Sequence, residues 1–205
     1  MPYLLLLLSY LCGSIPFGLL LGRLKGIDVR QGGSGNIGAT NVNRQLGKAM
    51  GLLTLLADTG KAALPMFIAA NMLAGRPMVS DWVLLCGGAA VLGHLFPIYL
   101  GFKGGKGVAT AFGMLLYINF TAAAILAVVF VAVVYLSGYV SAGSLAAAAM
   151  MPVVLYLAGG CGLELAVATG LFLLIWLKHW QNIGRLWRGE EKSWKRSAPT
   201  AEQQP

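Results

Sequence analysis

The chain has 205 residues, 58% of them hydrophobic and only 11% charged, with a mean hydropathy of +0.74. A soluble domain is normally about 25% charged, so the composition excludes a soluble globule and indicates an all-α, polytopic integral membrane protein. The net charge of +8 does not point to nucleic acid: thirteen of the fifteen Lys and Arg residues gather in three stretches (five in Arg23–Lys48, two in Lys103–Lys106, six in Lys178–Arg196), at the ends of apolar runs, where charge reports topology and binding of anions.

The first apolar run, Tyr3–Leu21, has no basic residue ahead of it, whereas Arg23 and Lys25 follow. A cleavable signal peptide has a basic start; here the charge pattern predicts a retained first crossing with its N-terminus outside, on the periplasmic side. The stretch Gly33-Ser34-Gly35-Asn36-Ile37-Gly38 comes next. It matches a dinucleotide-binding fingerprint in letters, but that motif needs a preceding strand and a βαβ unit. Apolar helices flank it here, and Asp58, the candidate ribose contact, falls inside the next one. What remains is local: glycines let successive backbone N–H groups converge on an anion, with Ser34 and Asn36 adding donors. A plain glycine-rich turn is the alternative. Thr40, Asn41 and Arg44 follow at helical spacing, which aims Thr40 and Arg44 to one side.

The second run, Gly51–Leu73, contains Asp58 and Lys61 three residues apart. Charges inside a membrane helix pair or face a wet cavity; a structural ion pair in the cytoplasmic half is the leading reading and cavity lining the second. A turn at Ala74–Pro77 leads to the third run, Trp82–Leu100, which contains Gly93-His94-Leu-Phe-Pro97. His94 there either orients the loop or takes part in chemistry. Phe102-Lys103-Gly104-Gly105-Lys106-Gly107 then precedes an apolar helix without fitting a nucleotide P-loop in register. A helix N-terminus offers free N–H groups and partial positive charge to a phosphate. Lysine alone would satisfy a positive-inside loop; the three glycines additionally predict close backbone approach to a ligand.

Val108–Leu136 is too long for one crossing, since 29 residues of helix would reach about 43 Å against a hydrocarbon core of about 30 Å. Asn119 offers a polar turn, and a break there predicts two helices. With Val140–Ala158 and Leu163–Leu177 the total is seven transmembrane helices, N-terminus outside and C-terminus cytoplasmic. That count puts all three basic stretches on the cytoplasmic face; six crossings with one strongly tilted helix would put the tail outside. The tail begins Lys178-His179-Trp180-Gln-Asn182, which sets His179 and Asn182 on one helical face. Trp176, Trp180 and Trp187 are expected to anchor at the interface, and Glu190 or Glu191 to pair with a basic residue of another loop. Residues 1–196 are read as a single transmembrane domain and Ser197–Pro205 as a disordered tail. Cys12, Cys86 and Cys161 show no metal or disulfide spacing and are expected to be buried small hydrophobes. No metal and no cofactor is expected.

Together these stretches resemble the bacterial acyl-phosphate:glycerol-3-phosphate acyltransferase family, the PlsY family, over essentially the whole chain. The residues that carry the resemblance are Gly33–Asn41 with Arg44, Gly93–Pro97 with Phe102–Thr110, and Lys178–Leu186 with Gly189–Glu191. The resemblance implies a multi-pass bacterial inner-membrane enzyme with its active site on the cytoplasmic face. It implies transfer of an acyl group from acyl phosphate to the 1-hydroxyl of sn-glycerol 3-phosphate, giving lysophosphatidate and inorganic phosphate. Its partners would be those two small molecules and the lipid bilayer, with functional coupling to the enzyme that makes acyl phosphate. The implied catalytic residues are Ser34, Arg44, Lys103, His179 and Asn182. Gly33, Gly35, Asn36, Thr40, Asn41, Gly104, Gly105, Lys106 and Gly107 would bind substrate, with His94, Glu191, Asp58 and Lys61 in support. A mixed anhydride is already activated, so positioning and charge neutralisation suffice and no covalent intermediate is needed. The rival class is a small transporter or channel for an anionic solute, which would set its polar groups near the bilayer midplane. A purely structural membrane protein would leave Ser34, Asn36, His179 and Asn182 without a reason.

Overall fold

The protein is described by a computed structural model over residues 1–195, and all regular structure among them is helical. Helix α1 (Pro2–Gly13) carries Pro2 in its first turn, where a missing N–H costs nothing. It stops short of Pro16, whose ring and absent N–H bar a continuous helix, and α2 (Phe17–Leu24) resumes. The amphipathic α3 (Ala39–Leu46) leads into α4 (Lys48–Met72), and α5 (Val79–Leu95) ends before a short 3-10 turn, Ile98–Leu100. There follow α6 (Val108–Ile118), α7 (Phe120–Ser137), α8 (Val140–Leu157), α9 (Gly162–Lys178) and α10 (Trp180–Trp187). The break expected near Asn119 falls on that residue: its backbone is extended (φ −150°, ψ 95°) and its Oδ1 accepts the N–H of Ala122 at 2.9 Å, capping α7.

Length and composition make five helical segments able to cross a membrane among the described residues: Pro2–Leu24, α4, Val79–Leu100, α7 and α8. A sixth is added if α9 and α10, bent by 59° at His179, count as one. Helix α6 has 11 residues, about 16 Å of helix, well short of a hydrocarbon core of about 30 Å.

Packing follows the rule for helices in lipid, where small residues let backbones touch because apolar side chains gain nothing by leaving hydrocarbon. Helices α1 and α5 meet at Gly13 and Gly93: a Cβ on the first would fall on the Ala90 backbone, and one on the second on Tyr10 O. Gly113 of α6 lies in the same way against Thr59 O of α4. The main core joins Leu5, Met66, Leu95, Met114, Met151 and Leu171 from six helices. A smaller cluster, Leu19, Val29, Ile37 and Val42, pins the first polar stretch onto α2 and α3. Of the cysteines, Cys86 is buried and Cys12 half-buried, but Cys161 is exposed, because the Gly159–Gly162 turn carries it beyond the helix ends. The expected tail, Ser197–Pro205, lies outside the described residues.

Candidate active site

Asn41 organises the first polar stretch. Buried on α3, it accepts the Ser34 N–H on Oδ1 at 2.8 Å, and its Nδ2 donates to Val29 O and Asn36 O at 2.8 Å and to Gly32 O at 3.3 Å. Its amide therefore holds the loop, and the residue also lines the cavity described below. Gly33 (φ +63°) and Gly35 (φ +69°) supply the left-handed turns of this loop, a conformation that glycine adopts without penalty. Neither lines the cavity described below. Asn36 Oδ1 accepts from Gly38 N at 2.8 Å.

The glycines of the second stretch likewise have a protein neighbour. The Gly105 N–H donates to His94 O at 3.0 Å. A Cβ on Gly104 would fall on His94 O, and one on Gly105 on His94 Nε2. Gly104 and Gly105 thus allow the loop to lie flat on His94. Gly107 (φ +84°) turns the chain into α6. The two lysines part company here: Lys103 is exposed and outside the cavity, while Lys106 lines it.

The third stretch bends at His179, which is buried. Its Nδ1 lies 2.8 Å from Ile175 O; a carbonyl only accepts, so Nδ1 carries the hydrogen and the neutral ring has Nε2 as its acceptor. One turn on, Asn182 accepts from Lys106 Nζ at 2.6 Å and donates to Glu191 Oε1 at 2.7 Å. Glu191 also accepts from Ser141 Oγ at 2.9 Å and from Arg185 Nε at 2.7 Å. Its charge partner is therefore in its own segment, not in another loop, because residues 188–191 fold back over α10. Glu190 pairs locally too, with Arg188 at 2.7 Å.

These residues surround one cavity of about 350 Å³. Ser34, Asn36, Thr40, Arg44, Lys106, Gly107, His179, Asn182 and Glu191 line its polar end, with Asp58 and His94 in the inner wall. The other end is apolar, bounded by Phe112 and Leu115 of α6, Leu126 and Phe130 of α7, and Ala148 and Met151 of α8. Burial depresses the Lys106 ammonium to about 8; Glu191 opposes that shift, while Arg185 and Arg44 add to it. Burial acts to raise the Glu191 carboxyl, but the bonds from Arg185, Asn182 and Ser141 outweigh it and hold the group below its ordinary value. The polar end thus keeps an ionised carboxylate, an arginine and a lysine close to neutralisation.

Asp58 and Lys61 satisfy both readings of the sequence at once. They form a buried ion pair at 2.8 Å, and Asp58, but not Lys61, also lines the cavity. Ser141 and Ser144 line it without having been foreseen, since serines on an apolar helix carry no local signal. A strap after α10 was also missed. Arg44 Nη2 donates to Lys192 O at 3.1 Å and Lys192 Nζ to Gly33 O at 2.9 Å. Ser193 Oγ and Trp194 N both donate to Gly138 O, at 3.1 and 3.0 Å. Among the described residues no group of three or more His, Cys, Asp or Glu is placed to hold a metal ion.

A helical membrane protein with cations at one end of a cavity and hydrocarbon at the other is built to receive amphipathic anions. The glycerol-3-phosphate acyltransferase family profile matches residues 3–189. The glycerol-3-phosphate acyltransferase of Desulfotalea psychrophila is 53% identical over 196 residues, covering 96% of this chain and 100% of that one. The one from Geobacter sulfurreducens is 42% identical over 187 residues, covering 91% and 94%. The crystal structure of PlsY (YgiH), an integral membrane glycerol 3-phosphate acyltransferase, superposes in its glycerol 3-phosphate form with a TM-score of 0.87 at 38% identity, covering 94% of this chain and 95% of that one. Its lysophosphatidic acid form gives 0.85 at 38% identity, covering 94% of each. The chain belongs to the glycerol-3-phosphate acyltransferase family.

Proposed function

We propose that this protein transfers a fatty acyl group from acyl phosphate to the 1-hydroxyl of sn-glycerol 3-phosphate, releasing lysophosphatidate and inorganic phosphate. The observation that carries this reading is the single cavity with a cationic polar end and an apolar arm. Glycerol 3-phosphate needs only the polar end, whereas an acyl donor and an acylated product need both. The PlsY relative was solved with glycerol 3-phosphate in one form and lysophosphatidic acid in the other, which are the acceptor and product of this reaction.

In the proposed mechanism Arg44 and Lys106 neutralise phosphate charge, with Ser34, Asn36 and Thr40 as neutral donors. His179 Nε2 accepts a hydrogen bond from the acceptor hydroxyl and orients it. As that oxygen forms a bond to the acyl carbon and the acyl–phosphate bond breaks, the hydroxyl proton leaves its hydrogen bond with Nε2 for a phosphate oxygen of the leaving group. Cations and donors at the polar end stabilise the charge that develops on the carbonyl oxygen. The energy required of the protein is mainly that of orientation.

The protein is placed, in this reading, in a bacterial inner membrane with seven crossings and its cavity mouth toward the cytoplasm. The gathering of basic residues beside the cavity supports that orientation. The short α6 is then the fourth crossing, starting from a loop recessed to the level of His94. The enzyme that makes acyl phosphate is the expected functional partner. The test is purified protein with glycerol 3-phosphate and either acyl phosphate or acyl-CoA, read for lysophosphatidate and phosphate. Product is expected from acyl phosphate only. Product from acyl-CoA alone would overturn the donor assignment, and none from either would overturn the acyltransferase reading.

A further inference from the structure

The mechanism leaves Lys61, Asp58 and His94 without a task, although each is almost fully buried. The Lys61–Asp58 pair has side-chain exposures of 1% and 3% at a separation of 2.8 Å. Burying two charges costs several kcal/mol, and a well-packed apolar pair is often as stable. The pair therefore asks for a reason beyond holding helices together.

Its contacts form a line. Lys61 Nζ donates to Ile15 O at 3.1 Å, a carbonyl at the break between α1 and α2. Asp58 Oδ1, held by Lys61, stands 3.7 Å from His94 Nδ1, beyond hydrogen-bond distance; that nitrogen has no hydrogen-bond partner among the described residues. His94 in turn bears the next loop: its carbonyl takes the Gly105 N–H, and its ring lies where a Gly105 side chain would be. Lys106 is the following residue, bonded to Asn182. The line runs from the first helix break, through α4 and α5, to the backbone under the cavity's lysine.

We infer that Lys61, Asp58 and His94 form a buried strut that sets the position of the Lys106 loop, making Asp58 and His94 positioning residues that act through Lys106. The link from Lys106 to catalysis rests on the function proposed above; the geometric claim does not. Three features support it together. Only glycine fits at 104 and 105, so at these two positions it is backbone that rests on His94. The Gly105 N–H bonds to His94 O, and the Phe102 and Lys103 N–H groups bond to Pro97 O and Leu100 O in the turn that follows α5. An Asp58 oxygen faces a His94 Nδ1 that has no hydrogen-bond partner among the described residues.

The experiment reads Lys106 itself, independently of turnover. Purified wild type, His94→Gln, Asp58→Asn and the volume-matched double variant Asp58→Leu with Lys61→Met are labelled with acetic anhydride over a pH series. Modification of Lys106 is quantified by mass spectrometry, and folding by thermal unfolding. The charged and titratable groups facing Lys106 are Glu191, Arg185, Arg44 and His179, none of them altered. In the wild type Lys106 should titrate near 8, the value its burial gives. A loop freed from the strut lets the ammonium reach water, so folded variants should titrate at least about one unit higher. They should also show at least a tenfold lower kcat/KM for glycerol 3-phosphate. The double variant keeps the core filled, so a purely structural pair predicts wild-type labelling there. Labelling curves that superimpose on the wild type in the folded variants would overturn the strut. Absence of acyl transfer by the wild type, with shifted curves in the variants, would leave the strut standing and remove the proposed function.

Discussion

Lys106 links burial to a pH dependence. Lysine holds an anion only while protonated, and burial brings this one down to about 8. Affinity for a phosphate is then present below that pH and lost as the pH rises through it. The expected result is a fall in kcat/KM for glycerol 3-phosphate above about pH 8, and a flatter profile in Lys106→Arg, whose guanidinium stays charged. Lys106→Ala should cost far more than Lys103→Ala, because Lys103 is exposed outside the cavity; equal losses would contradict that division. The sequence could not choose between these lysines, since both sit in the same Gly-rich string. Only the fold shows which one reaches Asn182. His179 is the second test at this scale. With Nδ1 tied to Ile175 O, glutamine can still hold the hydroxyl but cannot serve as a base. His179→Gln should therefore keep clearly more activity than His179→Ala, the latter losing at least about tenfold. If both are equally inactive while still binding glycerol 3-phosphate, the histidine is the proton acceptor.

The elements behave as their local chemistry predicts, and the surprises lie in what they touch. The break at Asn119 was legible because a polar, capping residue sits mid-way in a run too long for one crossing. The apolar arm of the cavity was not, because lipid-facing, core-facing and substrate-facing positions of α7 and α8 are written in the same alphabet of Ala, Val, Leu and Phe. Ser141 was silent for another reason: its partner Glu191 lies fifty residues away, beyond any local pattern. The glycines at 104 and 105 stand out in the sequence as room for a ligand; the fold sets them against His94. That contact has its own outcome. Gly105→Ala should push the loop off the His94 ring and lower kcat/KM for both substrates by at least about tenfold, while a Gly47→Ala control has open space around its added methyl and carries only the strain of its φ +85°, ψ 173° backbone, about 1–3 kcal/mol. A rise confined to the Michaelis constant for acyl phosphate would restore the ligand-contact reading.

At the scale of the molecule, the polar groups of three distant stretches meet around one cavity. Charge clustering made that gathering visible in the sequence, since the same residues mark the basic ends of the apolar runs. The crossing number is the remaining whole-molecule claim. In a background without native thiols, a cysteine at Arg76 should react with an impermeant reagent in intact cells, and cysteines at Lys48 and Lys195 should not. All three positions are exposed in the fold, so protection from reagent reports the membrane. Reaction at Lys195 from outside would replace seven crossings with six.

The strap from Gly189 to Lys195 has a consequence for the making of the protein. It delivers Glu191 to Asn182, Ser141 and Arg185, and it ties the Gly33 loop to the turn after α7. Every transmembrane segment precedes it in the chain. A nascent chain therefore has all its spans available for insertion before the residues that finish its polar cavity have been synthesised. Such a chain would be anchored in the bilayer yet inert, and acyl transfer would begin only when residues 189–195 leave the ribosome and fold back onto the loops laid down first.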